Sequence, residues 1–210
     1  MRIFLTGGGG GIGQAIYKAL IDNDIEVISP TSKELDLSKE FDVSSCPEVD
    51  GFIHCAGINP VSQLDSVKVS DINAAFCLNA VSFVKLCTKL NLRRGSNIIA
   101  IGSLYATETK EGRLSYTMSK HALLGAVRTI ALEKSNQHTK VNMISPGFVD
   151  TSLTRKNNTK ERIDTLDHII PLGLVNPLEI ANLCVYLIKY NNSITGHNFV
   201  VDGGYSLKGI

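Results

Sequence analysis

Tyr116 and Lys120 stand four residues apart in Tyr116-Thr117-Met118-Ser119-Lys120. Residues at that separation share a helical face, so a phenol and an ammonium would open into one cleft. A free tyrosine ionises at about pH 10. A neighbouring cation favours the phenolate and brings the group nearer neutrality, where it exchanges a proton with a carbonyl or an alcohol. Ser103, just past the apolar run ending Ile101-Gly102, is placed to hydrogen-bond the same oxygen. The second chemical signal is five consecutive glycines, Gly7 to Gly11, after the short apolar run Met1 to Thr6. A glycine turn between a first strand and a first helix lets backbone N–H groups and the helix N-terminus approach a pyrophosphate. No Gly-Lys-Ser/Thr follows, which disfavours a nucleoside triphosphatase loop.

An acid about 20 residues beyond such a turn would mark NAD, because a carboxylate hydrogen-bonds the ribose 2′-hydroxyl. The sequence there is Ser29-Pro30-Thr31-Ser32-Lys33. Hydroxyls and a lysine suit a 2′-phosphate, so Thr31, Ser32 and Lys33 point to NADP, with NAD the alternative if Lys33 faces solvent and Glu34 or Asp36 takes the ribose. His54 and Cys55 are adjacent, but nothing supports a Cys–His nucleophile. The histidines lack metal-ligand spacing, and no metal is expected. Arg155, Lys156, Lys160 and Arg162 cluster in one polar segment. They read as a solvated loop, or else as recognition of an acidic substrate such as an acyl-carrier phosphopantetheine or a nucleotide sugar.

These residues need elements to hold them. The pattern predicts strands at Met1–Thr6, Ile25–Ile28, Val49–Cys55, Asn97–Gly102, Lys140–Ser145 and Asn198–Val201. It predicts helices over Ile12–Leu20, roughly Val69–Leu92, about Leu114–Ser135 and Pro177–Tyr190, the last opened by Asn176 as N-cap and Pro177 at the first helical position. Strand–helix alternation implies a Rossmann-type, doubly wound, mostly parallel sheet with helices on both faces. Only Pro30 to Glu34 separates Ser29 from Leu35-Asp36-Leu37, too few for a crossover helix. One crossover helix is therefore expected to be missing, with Leu35–Leu37 at most a stub of edge strand. Thr151–Pro171 has little apolar periodicity and reads as a mobile surface segment closing over a site.

The 210 residues are 43% hydrophobic and 20% charged, with a net charge of +1. That suits one α/β domain spanning residues 1–210 and gives no global attraction for nucleic acid or anionic lipid. Five cysteines without a Cys-x-x-Cys pair suit a reduced, cytoplasmic protein. Met1–Thr6 runs straight into glycines and reads as neither signal peptide nor membrane span.

Thr6-Gly7-x-x-x-Gly11-x-Gly13, Ala56-Gly57, Asn79, Ser103, Tyr116-x-x-x-Lys120, Pro146-Gly147 and the closing Val201-Asp202-Gly203-Gly204 resemble the signatures of short-chain dehydrogenases/reductases, closest to the 3-oxoacyl-carrier-protein reductase-like branch. The resemblance implies an NADP(H)-dependent carbonyl reductase or alcohol dehydrogenase acting on a small molecule. Tyr116 would be the acid/base, Lys120 would hold the nicotinamide ribose and lower the tyrosine's pKa, and Ser103 would orient the substrate oxygen. Asn79 would bind a water linking Lys120 to solvent. Thr6, Gly7, Gly11, Ile12, Gly13, Ala56 and Gly57 would line the dinucleotide. Pro146, Gly147, Val149 and Thr151 would bracket the nicotinamide, and Asp36 falls at an adenine contact. Where the family usually has Asn-Asn-Ala-Gly this chain has His54-Cys55-Ala56-Gly57, which implies a changed strand contact. A homodimer or homotetramer is also implied. A non-catalytic nucleotide-binding regulator of the same fold is the alternative, disfavoured by the intact Asn79, Ser103, Tyr116 and Lys120. A sugar-nucleotide epimerase or dehydratase is weaker, because too little chain follows Pro146 for a substrate domain.

Overall fold

Each apolar run forms a strand of one sheet. β1 (Arg2–Thr6), β2 (Glu26–Ile28), β3 (Val49–His54), β4 (Leu92–Ile101), β5 (Lys140–Pro146) and β6 (Asn198–Val201) lie in the order β2-β1-β3-β4-β5-β6, every neighbouring pair parallel. The computed structural model describes residues 1–156 and 159–208; positions 157–158 of the polar segment, and 209–210 of the expected domain, lie outside the described residues.

Successive strand residues point to opposite faces, and each face recruits its own helices. Ile3, Leu5, Ile53, Ile99, Ile101 and Ile144 pack against α1 (Gly11–Ile21) and α7 (Pro177–Lys189). Phe4, Phe52, Ile98, Ala100, Val141 and Met143 face a helical run and α4 (Leu114–Glu133). That run comprises α2 (Val69–Phe76), a π-turn (Cys77–Val81) and α3 (Ser82–Lys89). By length and composition Val69–Lys89 is apolar enough to cross a membrane. Here Ala75, Ala80, Phe83, Leu86 and Cys87 are buried inside the protein.

No helix joins β2 to β3, as the short spacing implies. Residues 29–48 instead cross the sheet as turns that insert Leu37, Phe41 and Val43 into the cluster of Phe4, Phe52 and Phe83. Lys85 and Lys89 reach from α3 to Glu40 at 2.7 and 3.0 Å, with both ammonium groups over the Phe41 ring. Leu35–Leu37 forms no strand, so β2 is the sheet's edge.

Three boundaries differ from the sequence pattern. The long second helix contains a π-turn and ends at Lys89. β4 starts at Leu92 rather than Asn97, because Arg93 is held by ion pairs to Glu48 and Asp50 beside β3. The polar Thr151–Pro171 segment forms α5 (Ser152–Lys156) and α6 (Lys160–Ile169). Thr159 caps α6 by accepting from the Arg162 N–H, and Ile163 and Leu166 are its only buried side chains, too few to show a clear period. This excursion leaves and re-enters at one point: Val149 pairs with Val175 in a parallel bridge closed by two backbone hydrogen bonds of 2.9 Å.

Candidate active site

Parallel pairing aligns the carboxyl ends of β1, β3, β4 and β5, where Thr6 sits beside His54, His54 beside Ala100, and Ile101 beside Ile144. Open α/β sheets bind ligands beyond such ends. A two-lobed cleft lies there. The first lobe, of about 840 Å³, is lined by Gly7–Gly10, Thr31, Ser32, Asp36 and Ala56. The second, of about 960 Å³, is lined by Gly11–Gly13, Ser103, Tyr116, Lys120, Pro146–Val149 and Thr151. Gly7, Gly10, Cys55 and Gly57 line both and make them one groove.

The groove's floor depends on glycine. Gly7 has φ of +71°, and a Cβ there would come within 2.6 Å of the Ala56 nitrogen. A Cβ at Gly13 would collide with the Gly7 carbonyl, which lets α1 start tight under the loop. The N-cap of α1 is Gly10, with no side-chain cap and no acid in the first turn. Its leading N–H groups and positive dipole end are thus presented to the groove without a competing carboxylate, an arrangement that fits a pyrophosphate. Thr151 stands across from Gly11, where an added Cβ would lie 2.8 Å from the threonine Cβ.

Thr6 lines the groove but its hydroxyl is already engaged. Oγ1 lies 3.0 Å from His54 Nδ1 and accepts from the Cys55 and Ala56 N–H groups at 3.2 and 3.3 Å. It stitches the glycine loop to β3. His54 is buried between Thr6, the Leu78 carbonyl and Ser82. Burial, with the Lys120 charge, pushes its pKa down to about 3, so the ring is neutral. His54 thereby makes its contact to Thr6 on the neighbouring strand β1. Burial pushes the Cys55 thiol up to about 12, which keeps it protonated.

The candidate 2′-phosphate residues separate. Thr31 and Ser32 line the first lobe, whereas Lys33 is exposed and outside the lining. The Thr31 N–H and hydroxyl both donate to Glu34, at 2.8 and 2.9 Å. Asp36 reaches the lobe, and its carboxyl is held down at about 2 by hydrogen bonds from Ser38 and Lys39.

At the other end Ser103, Tyr116 and Lys120 converge. The first helical turns of α4 carry Tyr116 and Lys120 on one face, and Ser103 follows β4. Ser103 lies close enough to the Tyr116 hydroxyl to act on its pKa, and Tyr105 packs edge-on against the Tyr116 ring at 6.0 Å. The expected lowering of the phenol is not found. Burial pushes Tyr116 up to about 12, against a smaller downward pull from the Ser103 hydrogen bond. The Lys120 ammonium lies 5.6 Å from the Tyr116 ring centroid and donates to the Ile101 carbonyl at 2.9 Å. It is buried, which draws it down to about 8, and Ile101 is its one hydrogen-bond acceptor among the described residues. Two of its three N–H donors therefore remain for a ligand.

Asn79 occupies the π-turn, fully buried. Its Oδ1 accepts from the Ile58 N–H at 2.8 Å, and its Nδ2 donates to the Ile58 carbonyl and Ser119 Oγ at 2.9 and 2.8 Å. The side-chain amide ties the chain after β3 to α4. Pro146 ends β5, Gly147 is pinned by its N–H to the Val201 carbonyl, and Val149 is buried. Ile12 lines the second lobe. Lys110 and Arg113, six and three residues before Tyr116, also line that lobe.

A family model described as enoyl-(acyl carrier protein) reductase matches residues 32–206. Carbonyl reductase family member 4 of Xenopus tropicalis is 31% identical, and the 3-oxoacyl-[acyl-carrier-protein] reductase of Mus musculus 30%, each alignment covering 96% of both chains. A short-chain dehydrogenase family protein of Francisella tularensis superposes with TM-score 0.84 at 25% identity, covering 99% of both chains. ElxO with NADP bound superposes with TM-score 0.83 at 21% identity, also over 99% of both. With sequence likeness and sheet order in agreement along nearly the whole chain, this protein belongs to the short-chain dehydrogenase/reductase family of oxidoreductases, in its 3-oxoacyl-carrier-protein reductase-like branch.

Proposed function

We propose that the chain transfers hydride between NADP(H) and a carbonyl or alcohol substrate, with Tyr116 as acid/base. The observation that carries this is the meeting of Ser103, the half-buried Tyr116 phenol and the Lys120 ammonium, with one of its three donors used, in one lobe of the groove. When bound, the dinucleotide supplies or takes the hydride. Tyr116 gives its hydroxyl proton to the substrate oxygen in reduction and recovers it in oxidation. Ser103 Oγ orients that oxygen. Lys120 uses its two remaining N–H donors to hold the ribose, and a ligand hydroxyl there would offset the cost of burying its charge. Asn79 acts as a positioning residue, fixing Ile58 and Ser119 beside the lysine.

The uncapped α1 N-terminus and the hydroxyl-lined first lobe support a phosphorylated cofactor, and ElxO, which shares the fold, is a precedent for NADP. Glu34 is the local opponent, because its carboxylate occupies both Thr31 donors and a 2′-phosphate must compete for them. We further propose one cytoplasmic domain acting on a small molecule as a homodimer or homotetramer.

Calorimetric titration with NADPH and NADH, beside ketone reduction by wild type and Tyr116→Phe, tests the reading. NADPH is expected to bind more tightly. Tyr116→Phe should lower reduction by about 10²–10⁴-fold while NADPH affinity changes by less than about threefold. Undiminished turnover in that variant overturns the acid/base role. Tighter NADH would assign the ribose to Glu34 or Asp36, and cofactor binding without turnover would favour a regulatory protein.

A further inference from the structure

One lip of the second lobe is built from cations. Lys110 and Arg113, in the chain leading into α4, line the same lobe as Ser103 and Tyr116, as does Arg162 on α6. With Lys120, four basic side chains line this lobe, and no aspartate or glutamate does. Arg113 donates from Nη1 to Asn59 Oδ1 at 3.0 Å, an uncharged partner that leaves its charge unbalanced. The Lys110 ammonium sits 5.5 Å from the Phe148 ring centroid. Among the described residues Lys110, Arg113 and Arg162 form no ion pair, although their neighbour Arg155 is paired with Asp150 at 2.6 Å. Burial, with the charges of Arg162 and Arg113, draws the Lys110 ammonium down. Arg113 also occupies the N-cap of α4 without a side-chain cap, so the positive end of that helix dipole adds to the same field.

Cations held close together without a counter-charge oppose folding, and such local conflicts concentrate at functional sites. The pyrophosphate of a dinucleotide is served by the glycine loop and the α1 N-terminus rather than by these cations. We propose that the carbonyl substrate carries an anionic group, a carboxylate or a phosphate ester, held by Lys110, Arg113 and Arg162 while its carbonyl reaches Ser103 and Tyr116. This rests on the hydride-transfer reading above. The guanidinium groups of Arg113 and Arg162, lining one lobe, suit either anion, because both accept paired N–H donors from an arginine fork. Arg162 stands on α6 and Lys110 and Arg113 in the chain before α4, so an anion seated there also ties these two segments together.

Two matched pairs of probes test it: 5-oxohexanoate against its methyl ester, and an acetoacetyl-pantetheine thioester against its phosphate ester. Each is assayed for NADPH-coupled reduction and for calorimetric binding. In at least one pair the anion is expected to exceed its neutral partner by about tenfold or more in kcat/KM and in affinity. The pair that shows the preference identifies carboxylate or phosphate as the recognised group. In the double variant Lys110→Met/Arg162→Met the anion-to-neutral ratio should fall toward one. In Lys134→Met, at the other end of α4, the wild-type ratio should persist. A ratio near one in both pairs, or a preference that survives the double variant, overturns the proposal. Anion-selective binding with no reduction of any probe supports this site and counts against the hydride-transfer reading, so the two failures are separable.

Discussion

At the scale of single residues, the site contrasts groups whose chemistry is spent inside the protein with groups left open to a ligand. Thr6 and Asn79 are spent, their polar atoms satisfied by His54 and β3 in one case and by Ile58 and Ser119 in the other. Lys120 and Tyr116 are open. The sequence made the second pair legible through spacing alone, since a four-residue separation fixes a shared face whatever the surroundings. It could not weigh burial against charge, and so it misjudged the direction of the Tyr116 pKa. Lys33 is exposed, the alternative that the sequence left open, because a one-residue shift along a turn separates a side chain in the groove from one in solvent. His54 carries a pH prediction. Its pKa is about 3 when folded, depressed from the ordinary 6.5, so between those values the unfolded chain binds a proton that the folded one does not. Stability should therefore fall as pH drops through that window, by up to about 1.4 kcal/mol per pH unit from this residue. Urea denaturation midpoints of wild type and His54→Asn, compared from pH 7 to pH 4, should diverge, with the variant less sensitive to acid. Parallel curves would mean that His54 does not titrate between the two states.

At the scale of elements, the crossing between β2 and β3 shows what sequence reading can and cannot deliver. Counting residues excluded a helix there. It gave no hint that Phe41 and Val43, isolated among polar neighbours, would enter the core, because irregular chain has no period to betray its buried face. The π-turn at Asn79 is hidden likewise: one widened turn inside a continuous apolar helix leaves the pattern almost unchanged. The buried Phe41 makes the crossing testable. Phe41→Ala removes a ring packed in the cluster of Phe4 and Phe52 and shielded by Lys85 and Lys89. It should cost about 3 kcal/mol in chemical denaturation. A loss below about 0.5 kcal/mol would show that these turns lie on the core without belonging to it.

For the whole molecule, alternating strands and helices were enough to infer the parallel sheet, and the order β2-β1-β3-β4-β5-β6 places both chemical signals at one rim. Assembly is a matter of this scale too. Leu114, Met118 and Leu132 on α4, with Val69, Val81 and Val84 on the adjacent run, are exposed apolar side chains. Paired with the same face of a second copy they would be covered, as two-fold symmetry allows. Sedimentation should show wild type as a dimer or tetramer and Met118→Glu shifted toward monomer. A wild-type monomer, or a variant with unchanged mass, would rule out this face. One detail of the chain path reaches further. The bridge between Val149 and Val175 closes α5 and α6 into a lobe with a narrow neck, outside the sheet's hydrogen bonding. Lengthening such a closed excursion costs little extra chain entropy. The wall carrying Arg162 is therefore an exchangeable cassette: new pocket shapes can be grafted through one bridge while the proton donor, its lysine and the glycine floor stay where they are.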